Sequence, residues 1–285
     1  MSELRIATRA SRLAMAQARQ VADSLAETHS GTNVTFVEVS TSGDIDRTTS
    51  VTTLTEVGAF VRAVQQAVIE GRADAAVHSC KDLPVDGPTE LTAFYPKRER
   101  PWDVLCGHDL TSLPPGARVG TGSPRRAAQL RRLRPDVDVT DIRGNVDTRL
   151  AKMHSGEYDA LVLAEAGLRR LGRDDEIGHI FDLVEMVPAP AQAVIAVEVL
   201  VGAGAMDIVS TIDDRETRTA VEAERALLAL TRAGCRSALG ALATTDAITI
   251  GITGFVEDEG GARFGTAQGA GPGEAARALQ EALGL

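Results

Sequence analysis

Strand–helix alternation runs twice through the first 172 residues, and its apolar strands are of the kind covered on both faces. In the first run LRIATR (4–9) predicts a strand, and Ser11 is placed to cap a helix reaching about residue 27. NVTFVEVS predicts a near-continuous apolar strand, FVRAVQQAVIEG a helix stopped at Gly71, and DAAVHS the next strand. The order β-α-β-α-β implies a mostly parallel sheet. GDIDRTTSVTTLTEVG, ahead of the second helix, is polar, Thr-rich and without period, so it predicts a long loop.

ELTAFYPKRERPWDVLCG is charged, carries two prolines and ends in a short strand, which suits a crossing between domains. The alternation then restarts with ARVGTG (strand), SPRRAAQLRRL (helix), VDVTDI (strand), NVDTRLAKMHSG (helix), DALVLAEAG (strand) and LRRLG (helix). VPAPAQAVIAVEV reads as a second crossing that returns a strand to the first domain. After Asp213 come a long helix, antiparallel strands joined at a Gly-rich turn, and a C-terminal helix. The expected fold is α/β: two solute-binding-protein-like α/β lobes with a cleft between them, plus a smaller C-terminal α+β domain. The expected domains are residues 1–94 with 193–211, residues 99–188, and residues 214–285.

A length of 285 residues fits two or three domains. No apolar run is of membrane-spanning length, and MSELRIATRAS has charges where a signal peptide needs an apolar core. A soluble cytoplasmic protein is expected. Cys80, Cys106 and Cys235 are widely spaced, which argues against a disulfide framework or a zinc site; no metal is expected. The net charge of −10 disfavours nucleic acid as a partner, although RRAAQLRRLR alone would suit one. Lys81, Lys97 and Lys152 are the only lysines, an acidic, lysine-poor balance that suits either a salt-rich cytoplasm or plain acidic drift.

In open α/β sheets ligands gather at the carboxyl ends of strands. Asp82 follows DAAVHS there, and Arg9 follows LRIAT with Ser11 beside it. Thr121 and Ser123 follow ARVG; Arg125 and Arg126 then occupy the first helical turn after Pro124. Cations at a helix N-terminus are disfavoured, so this pair implies an external anion held by the free N–H groups and both guanidiniums. Arg143 ends the next strand, Arg149 shares the apolar side of its helix and needs a carboxylate partner from the protein or from a ligand, and Arg170 lies on the helix after DALVLAEAG. Together they predict a site for a ligand with several carboxylates. Arg131, Arg132 and Arg134 sit at a helix C-terminus, where cations are favourable.

ATRAS, HSCKDLP, VGTGSPRR, IRGNVDTRL, EYDALVLAEAGLRRL and AGC, in this order, resemble the hydroxymethylbilane synthase (porphobilinogen deaminase) family. The resemblance implies a monomeric, three-domain cytoplasmic enzyme that joins four porphobilinogen molecules head to tail. Each joining releases ammonia, and water frees the linear product. It implies growth on a dipyrromethane cofactor held by a thioether to Cys235. It assigns Asp82 as the catalytic carboxylate, and Arg9, Ser11, Lys81, Thr121, Ser123, Arg125, Arg126, Arg143, Arg149 and Arg170 as cofactor- and substrate-binding residues. Cys235 lies between Arg232 and Arg236, which would favour its thiolate.

The chain departs from the family pattern in four places. SVTTLTEVGAF has no lysine where the family's loop carries them; Ala191-Gln192-Ala193 stands for GQG; Arg12 replaces a proline; and RSALG follows Cys235 where Pro-Ile-Gly is common. A non-catalytic two-lobed anion-binding protein, or a degenerate relative, is the alternative reading.

Overall fold

The computed structural model describes residues 3–29, 31–39, 53–231, 238–246 and 248–285. In chain order the elements begin with β1 (Glu3–Arg9), α1 (Arg12–Thr28), β2 (Asn33–Val39), α2 (Thr53–Ile69), β3 (Ala75–Ser79) and β4 (Leu91–Phe94). There follow β5 (Asp103–Cys106), β6 (Arg118–Gly120), α3 (Pro124–Leu133), β7 (Asp138–Thr140), α4 (Val146–His154), β8 (Ala160–Ala164), α5 (Glu165–Arg170) and β9 (Ile177–Ile180). The last are β10 (Ile195–Leu200), α6 (Ala205–Val209), α7 (Arg215–Thr231), β11 (Ala238–Thr245), β12 (Ile250–Asp258), β13 (Gly261–Gly269) and α8 (Pro272–Ala282). The chain divides into two compact units, residues 1–98 with 194–218 and residues 99–193 with 219–285.

The first unit is one five-stranded sheet in the order β2-β1-β3-β10-β4. β1 runs parallel to β2 and β3, while β10 is antiparallel to β3 and β4. The returning strand expected after the second crossing is therefore β10, seated inside this sheet. Both faces are covered. Leu4, Ile6, Val77 and Val197 pack with Ala18, Val21 and Leu25 of α1; Ala7 and Ala76 pack with Val64, Ala67 and Val68 of α2. Burial on both faces is why these strands read as apolar runs rather than alternations. The second helix starts earlier than expected. α2 already begins at Thr53, because extending a helix nucleated by the packed Val61, Val64 and Val68 turns costs little even through weak helix formers. Residues 43–52 of the loop expected before it lie outside the described residues.

The second unit holds two sheets. One repeats the first unit's pattern: its order is β7-β6-β8-β5-β9, with β6 parallel to β7 and β8, and β5 antiparallel to β8 and β9. Its two faces bury Leu105, Val119, Leu130 and Val162 on one side, and Val104, Ile142, Leu150 and Leu161 on the other. The other sheet, β11-β12-β13, is antiparallel and packs against Ala223 and Leu227 of α7 and Ala276 and Leu279 of α8. Sequence pattern missed β4, β9 and β11. LTAF lies inside a charged crossing, and ALGALATT is too small and unalternating to signal a strand. It also carried the DALVLAEAG strand too far, since the strand stops at Ala164 and Glu165 opens α5.

Ala191-Gln192-Ala193 adopts backbone angles that favour glycine: Ala191 has φ 59° and Ala193 φ 67°. A left-handed alanine costs roughly 1 kcal/mol. The segment is held by hydrogen bonds on both sides. Ala191 N–H donates to the Glu224 carboxylate, and the fully buried Gln192 donates its amide to Pro101 O at 2.7 Å and Asp103 Oδ1 at 3.0 Å. Alanine thus keeps the close backbone fit that the glycines would have supplied, at the expense of strain. Ala191→Gly combined with Ala193→Gly is expected to raise the melting temperature by about 2 °C, relief of strain outweighing the extra freedom of the unfolded chain. A lower melting temperature in a thermal scan would contradict this.

Candidate active site

The first unit gathers a pocket at the carboxyl ends of β1 and β3. It is lined by Arg9, Ser11, Gln17, Phe60, Ser79 and Asp82, among others. Arg9 closes β1 and Ser11 caps α1, its Oγ accepting the Ala14 N–H at 3.3 Å. The Arg9 guanidinium lies 4.0 Å from the centre of the Phe60 ring, and its buried Nε makes no hydrogen bond. A cation held over a ring with one donor unspent is suited to an anionic group entering the pocket. β3 ends in a short 3₁₀ turn, Cys80–Asp82, fixed by Cys80 N–H donating to Val194 O at 2.9 Å and Leu83 N–H donating to Cys80 O at 3.1 Å. That turn leaves Asp82 half-buried on the pocket wall and Lys81 half-buried beside it. Gln17 and Ser79 hydrogen-bond each other across the pocket, Nε2 to Oγ at 2.8 Å.

Gln17 and Phe60 were not singled out in the sequence. Gln17 carried a signal, for it occupies the buried stripe of α1 with Ala18, Val21 and Leu25, where a polar residue needs a reason. Phe60 is indistinguishable by pattern from a core residue.

In the second unit Thr121, Ser123, Arg125 and Arg126 fall together where β6 meets α3. Ser123 caps the helix and accepts the Arg126 N–H at 3.4 Å; the buried Thr121 accepts the Ser123 N–H at 3.2 Å. The arginine pair, however, is not turned to an open helix end. The two residues are 3% and 7% exposed and share a fully buried carboxylate, Asp103, which sequence reading did not single out. Arg125 Nη1 lies 2.7 Å from Asp103 Oδ2, and Arg126 Nε 2.8 Å from Oδ1. Carbonyl oxygens of Val187 and Val162 take further guanidinium hydrogens. The anion that the pair demands is thus partly internal, which corrects the inference that an external one alone explains it. Burial would raise the Asp103 pKa, but the charges of Arg125 and Arg126 and the Gln192 hydrogen bond hold it well below the usual carboxylate range. Two fixed cations against one carboxylate still leave a positive excess.

Arg149 adds to that field. Its pKa is lowered first by burial and then by the nearby Arg126. No carboxylate pairs with it among the described contacts, and its Nε donates to Gly144 O at 2.7 Å. Arg143 is exposed and bound to Asp141 at 2.6 Å. Arg170 is anchored to Glu99 at 3.2 Å and to Ala193 O at 3.1 Å, bracing the crossing segment. Arg132, expected only to complement a helix end, donates to Val184 O and Glu185 O and lies 4.6 Å over the Phe264 ring, tying α3 to the C-terminal sheet. Cys235, with Arg232 and Arg236, lies outside the described residues. Among the described residues no His, Cys, Asp and Glu cluster could hold a metal ion, and no helix is long and apolar enough to cross a membrane.

Residues 4–207 match the family described as "Porphobilinogen deaminase, dipyromethane cofactor binding domain". Among curated relatives, the porphobilinogen deaminase of Roseiflexus castenholzii is 43% identical over 90% of this chain and 86% of its own. That of Acidothermus cellulolyticus is 44% identical over 92% of this chain and 81% of its own. The Mycobacterium leprae porphobilinogen deaminase is 47% identical over 84% and 76%. Of solved structures, full-length BenM aligns with 74% of this chain and 66% of its own at 14% identity and a TM-score of 0.42, a likeness too distant to inform the site.

Proposed function

The chain belongs to the porphobilinogen deaminase family, and from that premise we infer that it is a hydroxymethylbilane synthase, a transferase of porphyrin biosynthesis with dipyrromethane as its cofactor. It condenses porphobilinogen head to tail with loss of ammonia and releases linear hydroxymethylbilane by hydrolysis. The observation that carries the assignment of roles is the pocket that puts Asp82 on one wall with Arg9, Ser11 and Phe60. We read Asp82 as the catalytic carboxylate. A positive charge develops as the carbon–nitrogen bond of the substrate breaks, and a fixed carboxylate beside it is stabilising in a site shielded from water.

The described residues fit a carboxylate-rich group. Arg9 has a buried donor unspent, and Arg125, Arg126 and Arg149 exceed the single charge of Asp103. Dipyrromethane, when bound, supplies the ring position on which growth begins. Arg9, Ser11, Lys81, Thr121, Ser123, Arg125, Arg126, Arg143, Arg149 and Arg170 would hold its acetate and propionate groups and those of the substrate. Arg170 also holds the crossing segment through Ala193 O. The thioether to Cys235 rests on the AGC match alone. Division into three domains (1–94 with 193–211, 99–188, 214–285), a monomeric state and a cytoplasmic setting are part of the same reading.

Purified protein given porphobilinogen is expected to release one ammonia for each molecule consumed and to accumulate a linear tetrapyrrole. Saturable binding of porphobilinogen without ammonia release would overturn the enzyme reading in favour of a non-catalytic binding protein.

A further inference from the structure

One buried acid–base pair in the first unit has no part in the roles assigned so far. His78 lies on β3, four residues before Asp82, and lines the same pocket. Its side chain is 5% exposed, and its Nε2 is 3.1 Å from Glu198 Oε2 on the neighbouring strand β10, whose side chain is 9% exposed. His78 pairs with Ala196 and Glu198 with Ala76 in the β3–β10 ladder, so the two side chains are diagonal neighbours on one face. From α2, Gln65 Nε2 donates to both Glu198 oxygens, at 3.1 Å and 3.0 Å. Nε2 of His78 and Oε1 of Gln65 are buried without a well-formed hydrogen bond of their own.

A buried carboxylate without a counter-charge is costly, as is a buried imidazolium. One hydrogen shared across their 3.1 Å separation would meet both costs. Glu198 from β10 and the neutral Gln65 from α2 contact the pair directly, and the charged or polar groups lining the same pocket are Asp82 from the turn after β3, Arg9 from β1 and the neutral Gln17 from α1. A histidine on an inward-facing strand position, paired and braced on one side and open to the pocket on the other, is more than filler for an apolar sheet.

We propose that His78, held by Glu198 and Gln65, is a positioning residue that keeps one exchangeable proton beside Asp82 for the loss of ammonia. The inference rests on the catalytic reading of Asp82. The proton account balances. As the substrate's carbon–nitrogen bond breaks, its electron pair leaves with nitrogen, and one proton passes from the imidazolium through Asp82 to the departing amine. When the new carbon–carbon bond has formed, the ring carbon that made it sheds one proton, which restores the pair. No oxidant or further reactant is needed.

The test compares His78→Gln, Glu198→Gln and the double variant with the wild type, using pH profiles of kcat and KM. Removing the carboxylate lowers the imidazole pKa, so activity that needs the imidazolium is lost at lower pH. Glu198→Gln is expected to move the basic limb of the kcat profile down by about one pH unit. His78→Gln should lower kcat about tenfold with KM nearly unchanged, and the double variant should cost no more than the worse single one. A readout independent of turnover is the NMR titration of the His78 ring, which should move to lower pH in Glu198→Gln and in Gln65→Met. Superimposable pH profiles, or a fall in kcat that follows only a lower melting temperature, would overturn the proposal. Asp82→Asn in the same assay separates the two layers. If it abolishes turnover while the His78 profiles stay unmoved, only the role of His78 fails; if it leaves turnover near normal, the reading beneath it fails too.

Discussion

Asp82→Asn is expected to retain porphobilinogen binding and to lose turnover by at least about 100-fold, the usual scale for removing a positioned acid–base or charge-stabilising group. The substitution keeps shape and removes charge. Asp82 is half-buried and held by the backbone of the Cys80–Asp82 turn, whose hydrogen bonds to Val194 and Leu83 do not use its side chain. The fold should therefore survive. Steady-state kinetics would show the loss in kcat rather than KM. Near-normal kcat would remove Asp82 from the chemistry.

Asp103→Asn is expected to act on stability first. It leaves Arg125 and Arg126, both deeply buried, facing a neutral amide. Breaking a buried ion pair from one side costs about 3–5 kcal/mol. For a unit of this size that is a fall of roughly 10 °C in melting temperature. Arg125→Met and Arg126→Met combined with Asp103→Leu should recover part of the loss, since removing all three partners leaves no buried charge unpaired. The sign of the pH dependence follows from the depressed pKa. The carboxylate's contribution is present at pH above its unfolded value and is lost only as pH falls through the lower folded value, so this network should outlast ordinary carboxylates in acid. A melting temperature within about 2 °C of wild type in Asp103→Asn would contradict the account.

Much of this was legible in the chain because the fold is written in strand–helix alternation and the polar residues of the site sit at strand ends. Arg9, Ser11 and Asp82 could be placed from the pattern alone, and all three line one pocket. Asp103 was not legible. It opens β5 as a lone acid after Pro-Trp, and its partners stand 22 and 23 residues later, linked to it only by folding. The same limit explains Arg170 and Arg132: a basic residue near a helix end says nothing of the carbonyls or ring that tertiary packing brings to it. The start of α2 was misplaced because Thr-rich turns have weak local preference and are carried by the packing of later turns. The alanines at 191 and 193 were visible as a departure, while their left-handed conformation was not, since nothing local in AQA announces a positive φ.

The central claim is that this chain builds its product on a primer attached to Cys235, and the intact mass of the denatured protein tests it most directly. Wild-type protein is expected to exceed its chain mass by that of one covalent dipyrromethane, and Cys235→Ser to show the bare chain mass. A wild-type protein that keeps the bare mass even after incubation with porphobilinogen would contradict the account.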